Sequence, residues 1–255
     1  MEGDNLSNVF TELRIAVDQK SDKISVILDN LSSKVDKSQI GSELASDCSS
    51  AFSEQLYSLL GWPSSETVTK TADVIASLAK IESTRVALTK PKIAAALLDV
   101  LKQNSGKSND QNYLAVKHAS RALGNLCYEN DGARKCVIEY DGLKVILHTL
   151  ETTVNLPDKE LCHSLKACVL GLLLNLIMGQ NDLYPEVRNS LILPKPFSCR
   201  VLYIVENTIF LLFDSRDIST YISPITDTKD KQPESFLVKI FPFFLGFNMP
   251  KNTDL

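Results

Sequence analysis

The chain has 255 residues, of which 44% are hydrophobic and 23% are charged, so a folded core is expected and disorder as the main state is not. Its 27 basic and 31 acidic side chains give a net charge of -4, which argues against general nucleic-acid binding, because phosphate contacts need clustered Lys and Arg. The sequence has neither an uncharged apolar run of about 18 residues nor a basic-then-apolar N-terminus, so we expect a cytosolic protein without direct membrane insertion.

Apolar side chains at helical spacing predict two helices in the first 60 residues. The first covers residues 24–35 and has Ser21 or Asp22 as its candidate N-cap. The second covers residues 52–60 and is expected to end at the Gly61-Trp62-Pro63 turn.

Residues 64–188 are rich in Ala and Leu and are predicted to be helical throughout. The helix after Pro63 has Ser64 or Ser65 as its candidate N-cap. Residues 102–112 contain no apolar side chain and predict a loop. Since no alternating, β-branched run of the strand type occurs before residue 189, the sequence predicts an all-α fold.

Further along the chain, Asp131-Gly132 and Asp141-Gly142 mark breaks between helices. Between residues 168 and 178, Asn175 is the only side chain that is not apolar. A helix that is apolar nearly all round is expected to be covered by neighbours on several sides.

The sequence also contains an internal repeat. Segment 71–101 can be laid over segment 119–150, which places Ser77 on Asn125, and a third copy places Asn175 on Asn125. The spacings are 48 and 50 residues (77 to 125 and 125 to 175), close to armadillo or HEAT units with a loop insertion. Because one such unit cannot bury its apolar face alone, the copies are expected to stack into a helical solenoid.

The last part of the chain has a different composition. Residues 189–255 contain no alanine but eight of the ten phenylalanines and six of the ten prolines. We therefore predict a helical repeat domain at 1–188 and a divergent tail at 189–255. The tail is either poorly ordered or covers the edge of the last repeat through one irregular helix containing Phe197, Val201, Ile209 and Phe213.

Signatures of catalysis and metal binding are not found. The six cysteines form no CxxC pair and are interpreted as buried, reduced thiols. The sequence has no HExxH, Walker A or GxGxxG pattern. We therefore expect no metal, no cofactor and no enzymatic chemistry of the chain's own.

The motif R-A-L-G-N-L-C-Y-x-N-x-x-x-R, from Arg121 to Arg134, resembles an armadillo repeat of the small-GTPase GDP-dissociation stimulators, the SmgGDS family. The resemblance covers roughly residues 5–188 and implies an armadillo-type solenoid of about three repeats. It implies a guanine-nucleotide exchange factor or chaperone whose partners are small GTPases with basic, prenylated C-terminal tails. Two alternatives stay open: an armadillo adaptor that binds an extended peptide, and a truncated fragment without exchange activity.

Six side chains are candidates for partner binding. Asn125 and Asn175 can bind the main chain of an extended partner, because an amide offers donors and an acceptor together; alternatively, each satisfies a neighbouring carbonyl. Arg121 and Tyr128 can share a helical face with Asn125, or be a solvated arginine and a half-buried tyrosine. Glu129 and Asp131 can receive a basic tail, or be ordinary loop charges.

Overall fold

The computed structural model describes residues 6–37, 50–154, 156 and 160–177, which all belong to one compact unit of the chain. Regular structure in these ranges is entirely α-helical, which confirms the predicted all-α fold. The helices of the first half are α1 (Leu6–Asp18), α2 (Ile24–Lys37), α3 (Ser50–Leu60), α4 (Ser65–Leu78) and α5 (Glu82–Leu88). Those of the second half are α6 (Pro91–Asn104), α7 (Asp110–Cys127), α8 (Asp131–Glu139), α9 (Gly142–Val154) and α10 (Glu160–Ile177). The predictions for residues 189–255, including Phe197, Val201, Ile209 and Phe213, lie outside the described residues.

The predicted helix start after Pro63 is confirmed. Ser64 is the N-cap of α4, and its Oγ accepts a hydrogen bond from the backbone N–H of Thr67 at 3.3 Å. This bond satisfies one of the donors that a helix leaves unpaired at its first turn. Before α2, the Oγ of Ser21 accepts from the N–H of Lys23 at 3.2 Å.

The predicted loop at 102–112 is wrong at both ends. Helix α6 continues to Asn104, and α7 begins at Asp110. Asn109 caps α7, because its side-chain oxygen accepts from the N–H of Asn112 at 2.8 Å. Polar composition alone does not end a helix, since a solvated face carries polar side chains as a loop does.

The break predicted at Asp131-Gly132 lies a few residues earlier, because these two residues already begin α8. Asn130 is the N-cap and accepts from the N–H of Ala133 at 3.2 Å. The break at Asp141-Gly142 is confirmed, since Asp141 has a φ of 56° and α9 starts at the next residue.

The helices stack in two rows. We call the row of α2, α4, α7 and α10 ladder A, and the row of α1, α3, α6 and α9 ladder B; neighbours within each row are in contact. The short helices α5 and α8 lead from ladder A to ladder B along the chain.

Contacts between successive helices of ladder A reveal the repeat. Ser32 contacts Asp73 and Arg121 contacts Asp73, pairs that are 41 and 48 residues apart. Asn175 and Gly124, on the next pair of helices, are 51 residues apart. Each helical repeat therefore contacts the repeat before or after it in the chain, as expected of a solenoid. The helical solenoid is confirmed, whereas the armadillo type and the count of about three repeats stay predictions.

Helix α10 is the inner helix that the sequence predicts. Its apolar side chains from Val169 to Leu176 are almost all buried; these are Val169, Leu170, Leu172, Leu173, Leu174 and Leu176. Within the described ranges, no helix combines the length and apolar character that crossing a membrane requires.

Candidate protein-binding surface on ladder A

Asn125 and Asn175 occupy the same position in successive units of ladder A. The Nδ2 of Asn125 donates to the backbone oxygen of Ala76 at 2.8 Å, and the Nδ2 of Asn175 donates to that of Gly124 at 2.9 Å. Each acceptor lies on the preceding helix of the ladder. The two amide nitrogens are thus engaged within the chain, and a role of these side chains in binding a partner stays a prediction.

A glycine makes one of these contacts possible. A Cβ built on Gly124 would lie 3.4 Å from the Cα of Leu172, so α7 and α10 approach each other closely here. The close approach brings the amide of Asn175 within reach of the Gly124 carbonyl.

A polar cluster joins α2, α4 and α7, with Asp73 at its centre. The Oγ of Ser32 donates to Asp73 Oδ2 at 2.8 Å, and Arg121 Nη2 donates to Asp73 Oδ1 at 2.7 Å. His118 Nδ1 also lies 2.7 Å from Asp73 Oδ1. Arg121 additionally donates to Ser77 Oγ at 3.1 Å, so the predicted site residue Arg121 links two units.

The neighbours of Asp73 keep its carboxyl group ionised. Burial raises the pKa of Asp73, but the contacts with His118, Arg121 and Ser32 outweigh it and hold this pKa well below its usual range. The sequence prediction missed Asp73 and His118. The repeat alignment contains the signal for Asp73, because it places Asp73 on Arg121, and equivalent positions of stacked units are neighbours.

A second charged cluster lies nearer the N-terminal ends of α2 and α4. Lys70 Nζ lies 2.6 Å from Asp29 Oδ2, 3.0 Å from Glu66 Oε1 and 2.6 Å from Ser25 Oγ. The hydrogen bond from Ser25 and the contact with Lys70 lower the pKa of Glu66. Both carboxylates are largely exposed and share one ammonium group, so this end of ladder A carries a local excess of negative charge.

The other three predicted site residues lie at the turn between α7 and α8. Tyr128 is half-buried, and its backbone oxygen accepts a hydrogen bond from Arg85 Nη1 at 2.9 Å. The centroid of its ring lies 5.2 Å from the guanidinium carbon of Arg85. Asp131 forms an ion pair with Arg134. Glu129 is exposed and has a φ of 46°. The carboxylate of Asp131 therefore has a structural partner in Arg134. Glu129 is exposed but interacts electrostatically with Arg85: burial lowers the pKa of Arg85, and the charge of Glu129 partly opposes this shift.

Arg85 and Arg134 perform the same task in successive units. Arg85 donates to the backbone oxygens of Ala79 and Tyr128, both at 2.9 Å. Arg134 Nε donates to the backbone oxygen of Asn175 at 2.8 Å. Each guanidinium satisfies carbonyls near the C-terminal end of a ladder A helix, where a positive charge is favourable. The sequence favours a solvated loop charge at Arg134, but this side chain is buried.

The remaining polar chemistry is sparse. Cys127 and Cys162 are buried, as the sequence predicts, whereas Cys136 and Cys168 are only partly buried, and Cys48 and Cys199 lie outside the described residues. Burial raises the pKa of the Cys127 thiol to about 12. In the part of the chain that the structure describes, no group of three His, Cys, Asp or Glu side chains is placed to hold a metal ion. The candidate site is thus a set of hydrogen-bonded polar clusters along ladder A, and its binding of another protein stays a prediction.

Comparison with known proteins supports the resemblance in the motif. No protein-family model matches the chain. The GTPase-GDP dissociation stimulator vimar of Drosophila melanogaster is 39% identical over 82 residues, which cover 32% of this chain and 13% of vimar. The Rap1 GTPase-GDP dissociation stimulator 1-B of Xenopus laevis is 25% identical over 192 residues, which cover 75% of this chain and 30% of that protein.

The Rap1 GTPase-GDP dissociation stimulator 1-A of Xenopus laevis is 28% identical over 140 residues, which cover 55% of this chain and 22% of that protein. The chain thus spans less than a third of the length of these curated relatives. The similarity to GTPase-GDP dissociation stimulators, which the motif from Arg121 to Arg134 predicts, is confirmed by all three.

Proposed function

We propose that the chain regulates small GTPases by binding them along ladder A, used as an armadillo groove. The observation that carries this proposal is the similarity to three GDP-dissociation stimulators. The solenoid supports it, because the polar contacts of Asn125 and Asn175 repeat from one helix of ladder A to the next. The partners would be Rho- or Ras-type GTPases with basic, prenylated tails, and the result of binding would be GDP release or chaperoning of the GTPase.

Such a regulator needs no bond-making chemistry. It shifts the nucleotide equilibrium if it binds the nucleotide-free GTPase more tightly than the GDP-bound form. Exposed carboxylates on or beside ladder A, at Asp29, Glu66 and Glu129, suit a basic tail by long-range attraction, which salt weakens.

Binding of matched GTPases tests the proposal. We would titrate the full chain into a prenylated, GDP-loaded Rho-type GTPase and into its unprenylated, tail-deleted form, each at low and high salt. The proposal predicts tail-dependent binding that weakens with salt. Equal or absent binding of the two forms would contradict it, and release of fluorescently labelled GDP separates exchange from chaperoning.

A charge reversal at Glu129 locates the contact. Glu129→Lys is expected to weaken tail-dependent binding by up to about fivefold, because an exposed charge pair contributes up to about 1 kcal/mol. The matched control is Glu12→Lys, at an exposed position of α1. Asp131 is less suitable, since changing it also removes the partner of Arg134.

The adaptor alternative predicts a different result. An adaptor would bind an extended tail peptide on the same face without accelerating GDP release. A fragment without activity would bind neither the GTPase nor the tail peptide. An adaptor would bind the free tail peptide as tightly as the whole prenylated GTPase, which distinguishes it from a chaperone that also leaves GDP release unchanged.

A further inference from the structure

A surface cleft on ladder B lies apart from all six predicted site residues. It has a volume of about 500 Å³ and lies along α6, between the end of α3 and the turn before α9. The α6 side chains that line it run from Lys92 to Gln103. At 1.5 Å per residue this stretch is about 16 Å long, so the cleft is elongated.

Two tyrosines and a row of small residues line this α6 cleft. Tyr57 and Tyr140 both contribute to its walls and keep 41% and 43% of their surface exposed. Gly61, Ala95 and Ala96 also line the cleft, and such small side chains let a ligand backbone approach closely. Exposed tyrosines combine an apolar ring with a polar tip and are frequent at binding hot spots.

The polar groups of the cleft favour a ligand rich in acceptors. Within the described ranges, the hydroxyls of Tyr57 and Tyr140 and the amide of Gln103 make no hydrogen bond with the protein. All three can donate. Lys92 is already engaged, because it pairs with Glu54 and its Nζ lies 5.2 Å from the centroid of the Tyr57 ring.

A polyproline II segment fits these features. Its carbonyls make no internal hydrogen bond and so remain free to accept, whereas proline has no N–H to satisfy. Its rise of 3.1 Å per residue places about five residues in 16 Å. Aromatic-lined grooves are a recurring way to bind such segments. A helical ligand would use most of its carbonyls internally and would offer the three donors few acceptors in place of water.

The charge at Asp99 adds a preference. Its carboxylate is largely exposed and, among the residues that the structure describes, pairs only with Lys102, at 3.2 Å on the same helix. Such an exposed pair contributes little free energy. A ligand guanidinium can therefore replace the lysine and form the stronger bidentate contact.

We propose that the α6 cleft binds a proline-rich segment of a partner protein in the polyproline II conformation, with Tyr57 and Tyr140 holding the prolines and Asp99 holding a flanking arginine. This site is independent of ladder A and of any GTPase binding there.

The probe is a fluorescein-labelled decaproline with an arginine at each end, titrated with the full chain and followed by fluorescence anisotropy. The comparison peptides have the same ends around a Gly-Ser core or an alanine-rich helical core. We expect saturable binding of the decaproline peptide and at least about tenfold weaker binding of the other two. Equal or tighter binding of the helical peptide would overturn the proposal, as would no saturable binding of the decaproline.

Variants of the chain locate the site. The double variant Tyr57→Ala/Tyr140→Ala and the cleft-filling variant Ala96→Arg should each weaken decaproline binding at least about tenfold, the effect of losing a binding hot spot. The control is Val26→Ala/Val86→Ala, which truncates two side chains that are each 68% exposed outside the cleft. Unchanged affinity in both cleft variants, with an unchanged circular dichroism spectrum, would refute the site.

Asp99→Asn separates the two parts of the proposal. It should weaken binding of the arginine-flanked peptide but leave plain decaproline unaffected. An equal loss for both peptides, or no loss for the flanked one, would contradict the assignment of Asp99.

Discussion

Arg85 offers the sharpest test of how successive units are joined. Its guanidinium donates to the backbone oxygens of Ala79, Lys80 and Tyr128, at 2.9, 3.2 and 2.9 Å. The residue is 7% exposed. One side chain therefore satisfies carbonyls at the ends of both α4 and α7.

Replacing Arg85 by methionine keeps the apolar stem but removes all three donors. Hydrogen bonds from a charged donor contribute about 1.5–3 kcal/mol each. Taking the lower value and allowing for the desolvation of the guanidinium, we expect Arg85→Met to lower the free energy of unfolding by about 3 kcal/mol. For a protein of this size the midpoint of thermal unfolding should fall by about 6–12 °C.

The assay is urea and thermal unfolding followed by circular dichroism. Arg85→Lys should fall between wild type and Arg85→Met, since a lysine cannot reproduce the planar fork of donors. Val86→Ala is the control, because that side chain is 68% exposed and its truncation should change stability by less than about 0.5 kcal/mol. If Arg85→Met unfolded with a free energy within about 0.5 kcal/mol of wild type, the reasoning about helix-end carbonyls would be wrong.

Three further predictions follow from single contacts. Gly142→Ala should destabilise the protein by about 1–3 kcal/mol in urea unfolding, because a Cβ there would overlap the Cγ1 and backbone oxygen of Val137. The matched change Gly171→Ala meets nothing within 4 Å and should be neutral or slightly stabilising. The lowered pKa of Asp73 means that its ionisation stabilises the fold above about pH 4 and that this contribution is lost as pH falls through the native pKa; Asp73→Asn should therefore lose stability less steeply than wild type between about pH 4 and pH 2. With a pKa of about 12, the Cys127 thiol should stay unmodified by iodoacetamide at about pH 8 until urea is added, as peptide mapping by mass spectrometry would show.

Much of the fold could be predicted from short stretches of sequence. The helix after Pro63 begins at the predicted Ser64 cap, and the apolar segment around Leu172 is the buried α10. The spacing of Ser77, Asn125 and Asn175 identified the repeat. Hydrophobic periodicity and helix caps depend on a few neighbouring residues, and the repeat is visible as similarity between copies of one motif.

The surface chemistry depended on tertiary structure. The sequence repeat assigns Asn125 and Asn175 to equivalent positions. It does not identify the backbone carbonyls that their amides bind. His118 lies close to Asp73, which is 45 residues earlier in the chain. This contact depends on the distance between α4 and α7 and on the rotation of each helix about its own axis.

The α6 cleft shows the same limit more strongly. Tyr57 and Tyr140 lie in different repeats and line one cleft. The sequence around either tyrosine does not indicate that the two side chains line the same cleft. The sequence by itself indicated most of the helices and that the repeats stack, because those properties are local or periodic, but it missed α1 and misplaced the end of α6 and the start of α7. Which polar side chains meet, and which remain available to a partner, was decided only by the relative rotation of the stacked helices.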